Sequence, residues 1–134
     1  MEVLGREERG IRSDSDVVQV RHAVRAAGAE LQFSIVDQTK LVTAASEIAR
    51  NTLQYGGGGT ATIEVVQRDG RSGLRLVFQD RGPGILDLAQ ALGDGYTSGS
   101  GLGLGLGGAR RLVNEFDLQS RPGEGTRVML LRWK

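Results

Sequence analysis

The chain has 134 residues, with 17 basic and 16 acidic side chains, 21 glycines, one histidine and no cysteine. This length predicts one domain, residues 1–134, around a single hydrophobic core. The balanced charge and 4% aromatic content argue against a nucleic-acid partner, and the lack of cysteine excludes disulfides and thiolate zinc sites. No apolar stretch approaches the roughly 18 residues of a membrane span, and the acidic N-terminus does not resemble a signal peptide. We therefore expect a cytoplasmic domain that does not contact a membrane.

The first 55 residues predict a short hairpin and two helices. Residues 3–4 and 10–12 are expected to pair around the charged run 6–9. Residues 13–16 offer helix caps, and apolar residues follow at spacings of three and four, which is typical of an amphipathic helix with Gly28 near its end. A second helix is expected over residues 37–55, capped by Asp37 and ended by the glycines at 56–59. The apolar positions of the two helices are Val17, Val20, Val24, Ala27 and Leu31, then Leu41, Ala44, Ala45, Ile48 and Thr52.

The rest of the chain predicts two hairpins and two further helices. Residues 60–67 and 74–79 are rich in Val, Ile and Leu and flank a turn at Asp69 and Gly70, which indicates a β-hairpin. Strands at 118–120 and 126–133 flank a second turn, at Pro122 and Gly123. Between the hairpins the spacing predicts a short helix carrying Ile85, Leu88, Ala89 and Leu92, then one carrying Leu106, Ala109, Leu112, Val113 and Phe116. The pattern is α+β, with helices packed on one face of one sheet.

Three segments carry residues suited to chemistry. The first is Glu47 and Asn51 on the second predicted helix, four residues apart and therefore on one face. An amide oxygen there suits a hard cation such as Mg²⁺, and a carboxylate beside it suits removal of a proton from a hydroxyl. The alternative is an ordinary solvated helix face.

The second segment is Asp80-Arg81-Gly82-Pro83-Gly84, directly after an apolar strand. A carboxylate at a strand end is placed to accept a hydrogen bond from an exocyclic amine such as that of adenine. Gly82 and Gly84 would let the backbone lie against a flat ring. An ordinary turn is the alternative.

The third segment is the run of alternating glycine and leucine at 99–108, which leads into a helix. Free backbone amides at a helix start favour an anion, whereas a flexible connection is the alternative. The Gly-Lys-Ser/Thr of a P-loop is absent, and no βαβ unit supports a Rossmann fingerprint. Phosphates bound here without a lysine require a metal ion, which again points to Asn51.

In this order the segments resemble the GHKL (Bergerat-fold) ATP-binding family. EIARNTLQYG resembles its N box, DRGPGI its first glycine box, GSGLGLGLGGARRL its second, and GEGTRVML its final Gly-Thr box. The resemblance implies a two-layer α/β sandwich with a mixed, mostly antiparallel sheet and helices on one face. It assigns Mg²⁺ to Asn51 and the adenine of ATP to Asp80, Gly82, Gly84 and Thr126. It makes Gly101, Gly103 and Gly105 the phosphate lid and Glu47 the general base.

Within this family the chain resembles the switch-protein serine/threonine kinases of bacterial stressosome modules. That resemblance implies phosphorylation of a STAS-domain antagonist or scaffold protein, and activation of a PP2C-type phosphatase after release from the scaffold. Gly99 stands where related anti-sigma kinases often have arginine, which disfavours the main alternative, an ATP-binding protein that sequesters a sigma factor or another partner. A purely structural module is the remaining alternative.

Overall fold

The computed structural model describes residues 1–85 and 105–134, and this part of the chain forms five strands and three helices. The elements in chain order are β1 (Glu2–Ile11), α1 (Asp14–Glu30), α2 (Ile35–Gln54), β2 (Gly59–Arg68), β3 (Arg71–Asp80), α3 (Leu106–Arg111), β4 (Glu115–Arg121) and β5 (Gly125–Trp133). The predicted α+β pattern is confirmed.

The five strands form one sheet in the order β1-β2-β3-β5-β4. All four pairings are antiparallel, in line with the mostly antiparallel sheet that the family resemblance implies. The second and third predicted hairpins are present as β2–β3 and β4–β5, and Asp69 and Gly70 turn between β2 and β3 with positive φ angles of 51° and 80°. The sheet thereby places the end of β3 beside the start of β5.

The predicted N-terminal hairpin is wrong, because residues 2–11 form the single strand β1 at the edge of the sheet. An edge strand with little cover keeps its side chains exposed, so a charged run is compatible with it. Glu7 and Arg9, two residues apart on one face, form an ion pair with an N–O distance of 2.6 Å. The charges that suggested a loop are therefore on a strand.

Serine caps begin both long helices. Ser13 Oγ accepts a hydrogen bond from the backbone N–H of Asp16 at 3.2 Å, and Ser34 Oγ accepts one from Asp37 at 3.1 Å. Helix α2 therefore starts two residues before the expected cap, and Asp37 lies in its first turn. The predicted ends near Gly28 and at the glycine block are close to those of the structure.

The last helix is much shorter than predicted. Helix α3 ends at Arg111, and Phe116 lies in β4. Asn114 causes this early end, because its N–H donates to the Leu131 carbonyl at 2.9 Å and its Oδ1 accepts from Trp133 N–H at 2.7 Å. The short helix predicted at 85–92 lies outside the described residues, apart from Ile85, which is not helical.

The core lies between the helices and one face of the sheet. Leu74, Leu76 and Phe78 of β3 project into it from alternate positions, and Asp80 follows on the same face. The predicted stripe of α2 is buried throughout. In the described ranges, 1–85 and 105–134, no helix has the length and hydrophobicity to cross a membrane.

Candidate nucleotide site

Asp80 is a half-buried carboxylate at the end of β3, one step beyond the buried Phe78 on the inward face. Its Oδ1 accepts backbone N–H bonds from Gly82 at 2.8 Å and from Thr126 at 3.2 Å. Burial raises the pKa of this carboxyl above its ordinary value, although the two hydrogen bonds act in the opposite direction. The β3 end and the β5 start thus fix one oxygen and orient the other, Oδ2, towards Gly56.

Glycines surround Asp80 because neighbouring backbone leaves no room for side chains. A Cβ at Gly56 would collide with Asp80, and one at Gly82 would lie 2.6 Å from the Gly56 Cα. Gly84, with φ of 78°, packs against the Arg121 carbonyl, and Gly125 packs against the Asp80 carbonyl. The glycines at 82 and 84, selected as backbone that faces a flat ring, are therefore also required by contacts within the protein.

Ser120 on β4 connects the glycine turn to β5. Its Oγ accepts a hydrogen bond from Ile85 N–H at 2.9 Å and donates to the Gly125 carbonyl at 3.0 Å. Thr126 Oγ1 lies 2.8 Å from Ser120 Oγ. Ser120 is not among the site residues predicted from the sequence. The signal was available, because Ser120 is two residues beyond Leu118 and so faces inward with it.

Glu47 and Asn51 lie one turn apart on α2, as predicted. The Glu47 side chain is 41% exposed, and its Oε1 is 3.6 Å from Arg50 Nη1. Asn51 is half-buried, and its backbone carbonyl accepts hydrogen bonds from Tyr55 at 2.9 Å and from Gly56 at 3.2 Å. The end of α2 therefore brings Gly56 against Asp80, which connects the two predicted segments.

The third segment reaches Glu47 through Gly105. This glycine stands before α3 with a left-handed φ of 65°, and a Cβ on it would lie 2.5 Å from Glu47 Oε2. Leu106 and Ala109 are buried in the core and anchor the short helix beside α2. Gly101 and Gly103 lie outside the described residues.

The residues present fit ATP and Mg²⁺. The glycines allow the backbone to approach a ligand closely around the Asp80 carboxylate. The backbone N–H groups of Gly82 and Thr126 both bond to Oδ1 of this carboxylate and not to Oδ2. Magnesium usually takes only one or two protein oxygens and obtains the rest from phosphates and water, and the amide of Asn51 matches that need. Across residues 1–85 and 105–134, no group of three or more His, Asp or Glu side chains is placed to hold a metal ion.

Comparison with known proteins gives consistent matches. Residues 36–134 match the model of the histidine kinase-, DNA gyrase B- and HSP90-like ATPase family. The serine/threonine-protein kinase RsbT of Bacillus subtilis is 42% identical over 123 residues, which cover 92% of each chain.

Solved structures share the fold at lower sequence identity. The RsbU and RsbW domains of a Mycobacterium tuberculosis protein match with a TM-score of 0.64 and 20% identity; the match covers 97% of this chain but only 33% of that one. The SiaB–SiaC complex of Pseudomonas aeruginosa matches with a TM-score of 0.55 and 20% identity, covering 98% of this chain and 91% of that one. The catalytic domain of the histidine kinase ThkA matches at 0.53 and 14%, covering 98% and 95%.

Proposed function

This chain belongs to the histidine kinase-, DNA gyrase B- and HSP90-like ATPase family, and on that basis we propose that it is an ATP-dependent protein serine/threonine kinase. The activity is the one that the name of the B. subtilis relative states, and the identity of 42% extends over nearly the whole of both chains. One observation carries the proposal. The carboxylate of Glu47 lies against Gly105, where the glycine-rich segment enters α3.

Asp80 is the adenine-binding residue in this proposal. Its Oδ1 is held by Gly82 and Thr126, so Oδ2 is left to accept a hydrogen bond from the exocyclic amine. A carboxylate oxygen without a donor is costly when it is half-buried, and the amine supplies one to Oδ2. Gly82 and Gly84 form the backbone beside the base, and Thr126, fixed by Ser120 at 2.8 Å, assists.

Asn51 would hold Mg²⁺ through its side-chain oxygen, and Gly101, Gly103 and Gly105 would contact the phosphates through backbone N–H groups. The metal, when bound, neutralises charge that develops on the phosphoryl oxygens. The protein then needs no phosphate-binding lysine, and both lysines of the chain, Lys40 and Lys134, are outside the three segments.

Glu47 acts as the general base. Its carboxylate accepts the proton of a serine or threonine hydroxyl while that oxygen bonds to the γ-phosphorus and the bond from phosphorus to the ADP oxygen breaks. Arg50 Nη1 lies 3.6 Å from Glu47 Oε1. Catalysis by this site is mostly positioning of the two reactants.

The protein substrate that we propose is a STAS-domain antagonist or scaffold protein of a bacterial partner-switching module. After release from the scaffold, the kinase would activate a PP2C-type phosphatase. The support is the similarity to RsbT, since the structural matches at 20% identity or less bear on the fold alone. We propose a cytoplasmic location, where ATP is available.

The test is transfer of labelled γ-phosphate from Mg-ATP to a purified STAS-domain protein. We expect Glu47→Gln to abolish transfer while ATP affinity stays within about twofold, because Glu47 is assigned to proton removal and not to nucleotide binding. Glu30→Gln, an exposed glutamate at the end of α1, is the matched control and should transfer normally. Full transfer by Glu47→Gln would remove the proposed base, and binding of a sigma factor without transfer to any STAS-domain protein would favour sequestration.

A further inference from the structure

One side of α2 is exposed along most of its length, and Glu47 lies on it. Residues separated by alternating steps of four and three share one side of a helix. In α2 this side is Val36, Lys40, Thr43, Glu47 and Arg50, which we call the α2 stripe. Lys40, Thr43 and Arg50 are exposed and Glu47 is partly so. The core does not use this side of the helix.

The first turn of α2 exposes two large aliphatic side chains. Ile35 is 71% exposed and Val36 61% exposed, the two highest values among the large hydrophobic residues of the described chain. Neither position is needed for the cap, which Ser34 supplies. An adjacent apolar pair at one end of an otherwise polar stripe is typical of the contact area of a protein partner.

The charge around the stripe is predominantly positive. Helix α3 runs antiparallel beside α2, because Gly105 at its start contacts Glu47 while Arg132 bonds both the Leu112 carbonyl beyond its end and Asp37. Its last turn therefore adds cations near the first turn of α2. This area has two carboxylates, those of Asp37 and Glu47, and five cationic side chains: Lys40, Arg50, Arg110, Arg111 and Arg132.

The apolar pair and Glu47 fit within one protein contact. Val36 and Glu47 are eleven residues apart, which is about 16 Å along a helix that rises 1.5 Å per residue. A standard interface covers about 800 Å² on each partner, a patch roughly 30 Å across. A protein that brings a hydroxyl group to Glu47 therefore also reaches Val36.

We propose that the α2 stripe, with Ile35 and the last turn of α3, is the docking surface for the protein substrate. The substrate contacts Ile35 and Val36 with an apolar side chain and Lys40 with acidic residues, and this places its acceptor hydroxyl at Glu47. The inference depends on the kinase function proposed above. It adds which surface of the kinase the substrate contacts and which kinds of substrate residue make that contact.

Steady-state phosphorylation of the STAS-domain protein tests the surface. We expect Val36→Asp and Lys40→Glu each to raise the KM for the protein substrate at least tenfold, with the KM for ATP and ATP hydrolysis in the absence of substrate unchanged. Val36→Asp puts an acidic residue in the first turn of a helix, which the helix dipole favours, so the helix is retained. Raised salt should weaken substrate binding to the wild type more than to Lys40→Glu.

Val18→Asp is the matched control, because Val18 is an exposed valine on the other long helix, 39% accessible. It should leave every kinetic constant unchanged. If the wild type phosphorylates no STAS-domain protein, the proposed function fails, and the docking surface for that substrate fails with it. If the wild type does so and both α2 variants keep KM for the protein within twofold, the docking surface is wrong. Loss of self-association or of phosphatase activation, with normal KM, would assign the surface to another occupant and also overturn the proposal.

Discussion

The carboxylate of Glu47 and the backbone of Gly105 are in direct contact across the gap between α2 and α3. A Cβ at residue 105 would lie 2.5 Å from Oε2 and 3.2 Å from Cδ of Glu47. Residue 105 also has a left-handed φ of 65°, which only glycine adopts at little cost. Space and backbone conformation therefore both require glycine here.

Gly105→Ala should impair phosphate transfer more than ATP binding. The new methyl group pushes the Glu47 carboxylate aside, and the left-handed backbone adds about 1 kcal/mol of strain. We expect kcat for phosphate transfer to fall at least tenfold and the thermal midpoint to fall by several degrees. Transfer assays and thermal denaturation measure the two effects.

Gly108→Ala is the matched control on the same helix. It has an exposed position, and a Cβ there meets nothing within 4 Å among the residues that the structure describes. Alanine is the better helix former by about 1 kcal/mol, so this variant should be at least as stable as the wild type and fully active. Equal activity of both variants would contradict the importance of the Glu47 contact.

The two ends of α3 show which features the sequence could predict. The buried spacing of Leu106 and Ala109 is helical, and both residues are in the core as expected. Phe116 continues the same spacing, but it also alternates with Leu118 and Ser120, and that period is the one the structure uses. The decision between the two is made by Asn114, which bonds to β5, a contact between distant segments that local periodicity does not contain.

In the candidate site, too, the sequence predicts some residues and misses one whose role depends on distant contacts. Asp80 was recognisable because a carboxylate follows an apolar strand, and the positions of Glu47 and Asn51 follow from helical geometry. Ser120 was missed because its importance comes from Ile85 and Gly125, which approach it from other parts of the chain. Motif positions are local in the sequence, whereas the groups that fix them are distant.

Asp80→Asn should weaken ATP binding but keep the fold. The amide oxygen still accepts the N–H bonds of Gly82 and Thr126, whereas the amide nitrogen cannot accept the adenine amine. A hydrogen bond to a charged group contributes about 1.5–3 kcal/mol, so we expect ATP affinity to fall by about 10- to 100-fold. Titration calorimetry measures it. Asp69→Asn, in the β2–β3 turn, should bind ATP normally, since Asn tolerates a positive φ.

Unlike ATP affinity, the free energy of unfolding should not fall in Asp80→Asn. Because burial raises the pKa of Asp80 in the fold, the protonated form is favoured there, and the associated stability is lost as pH rises through that pKa. The neutral amide does not ionise. At pH 7 the free energy of unfolding of the nucleotide-free variant should therefore equal or exceed that of the wild type, and a large loss would mean that the carboxylate is structural.

Ser120→Ala should reduce ATP affinity without touching the nucleotide. It removes the acceptor for Ile85 N–H and the partners of Gly125 and Thr126, which frees the turn after Asp80. Leaving such groups unsatisfied costs about 1–3 kcal/mol, and we expect ATP affinity to fall several-fold with kcat at saturating ATP preserved. Ser72→Ala, at the opposite end of β3, is the control and should change neither quantity. An unaltered affinity in Ser120→Ala would show that the turn is held by other contacts.

The ion pair between Asp37 and Arg132 should make stability depend on acid pH. Arg132 Nη2 is 2.6 Å from Asp37 Oδ1, and this hydrogen bond, more than any other interaction, lowers the pKa of Asp37 below its ordinary value. A carboxyl with a lowered pKa stabilises the fold above its unfolded-state value, about 3.9, and this contribution is lost as pH falls through the lower, folded-state value. At pH 7 the free energy of unfolding of Asp37→Asn should therefore be about 1 kcal/mol lower than that of the wild type, and the difference should shrink as the pH falls below the unfolded-state pKa of the carboxyl. Urea denaturation over a series of pH values from neutral to acid measures this, with Asp14→Asn in the first turn of α1 as control. A difference that persists undiminished in acid would show that Asp37 stabilises α2 by a route other than its charge.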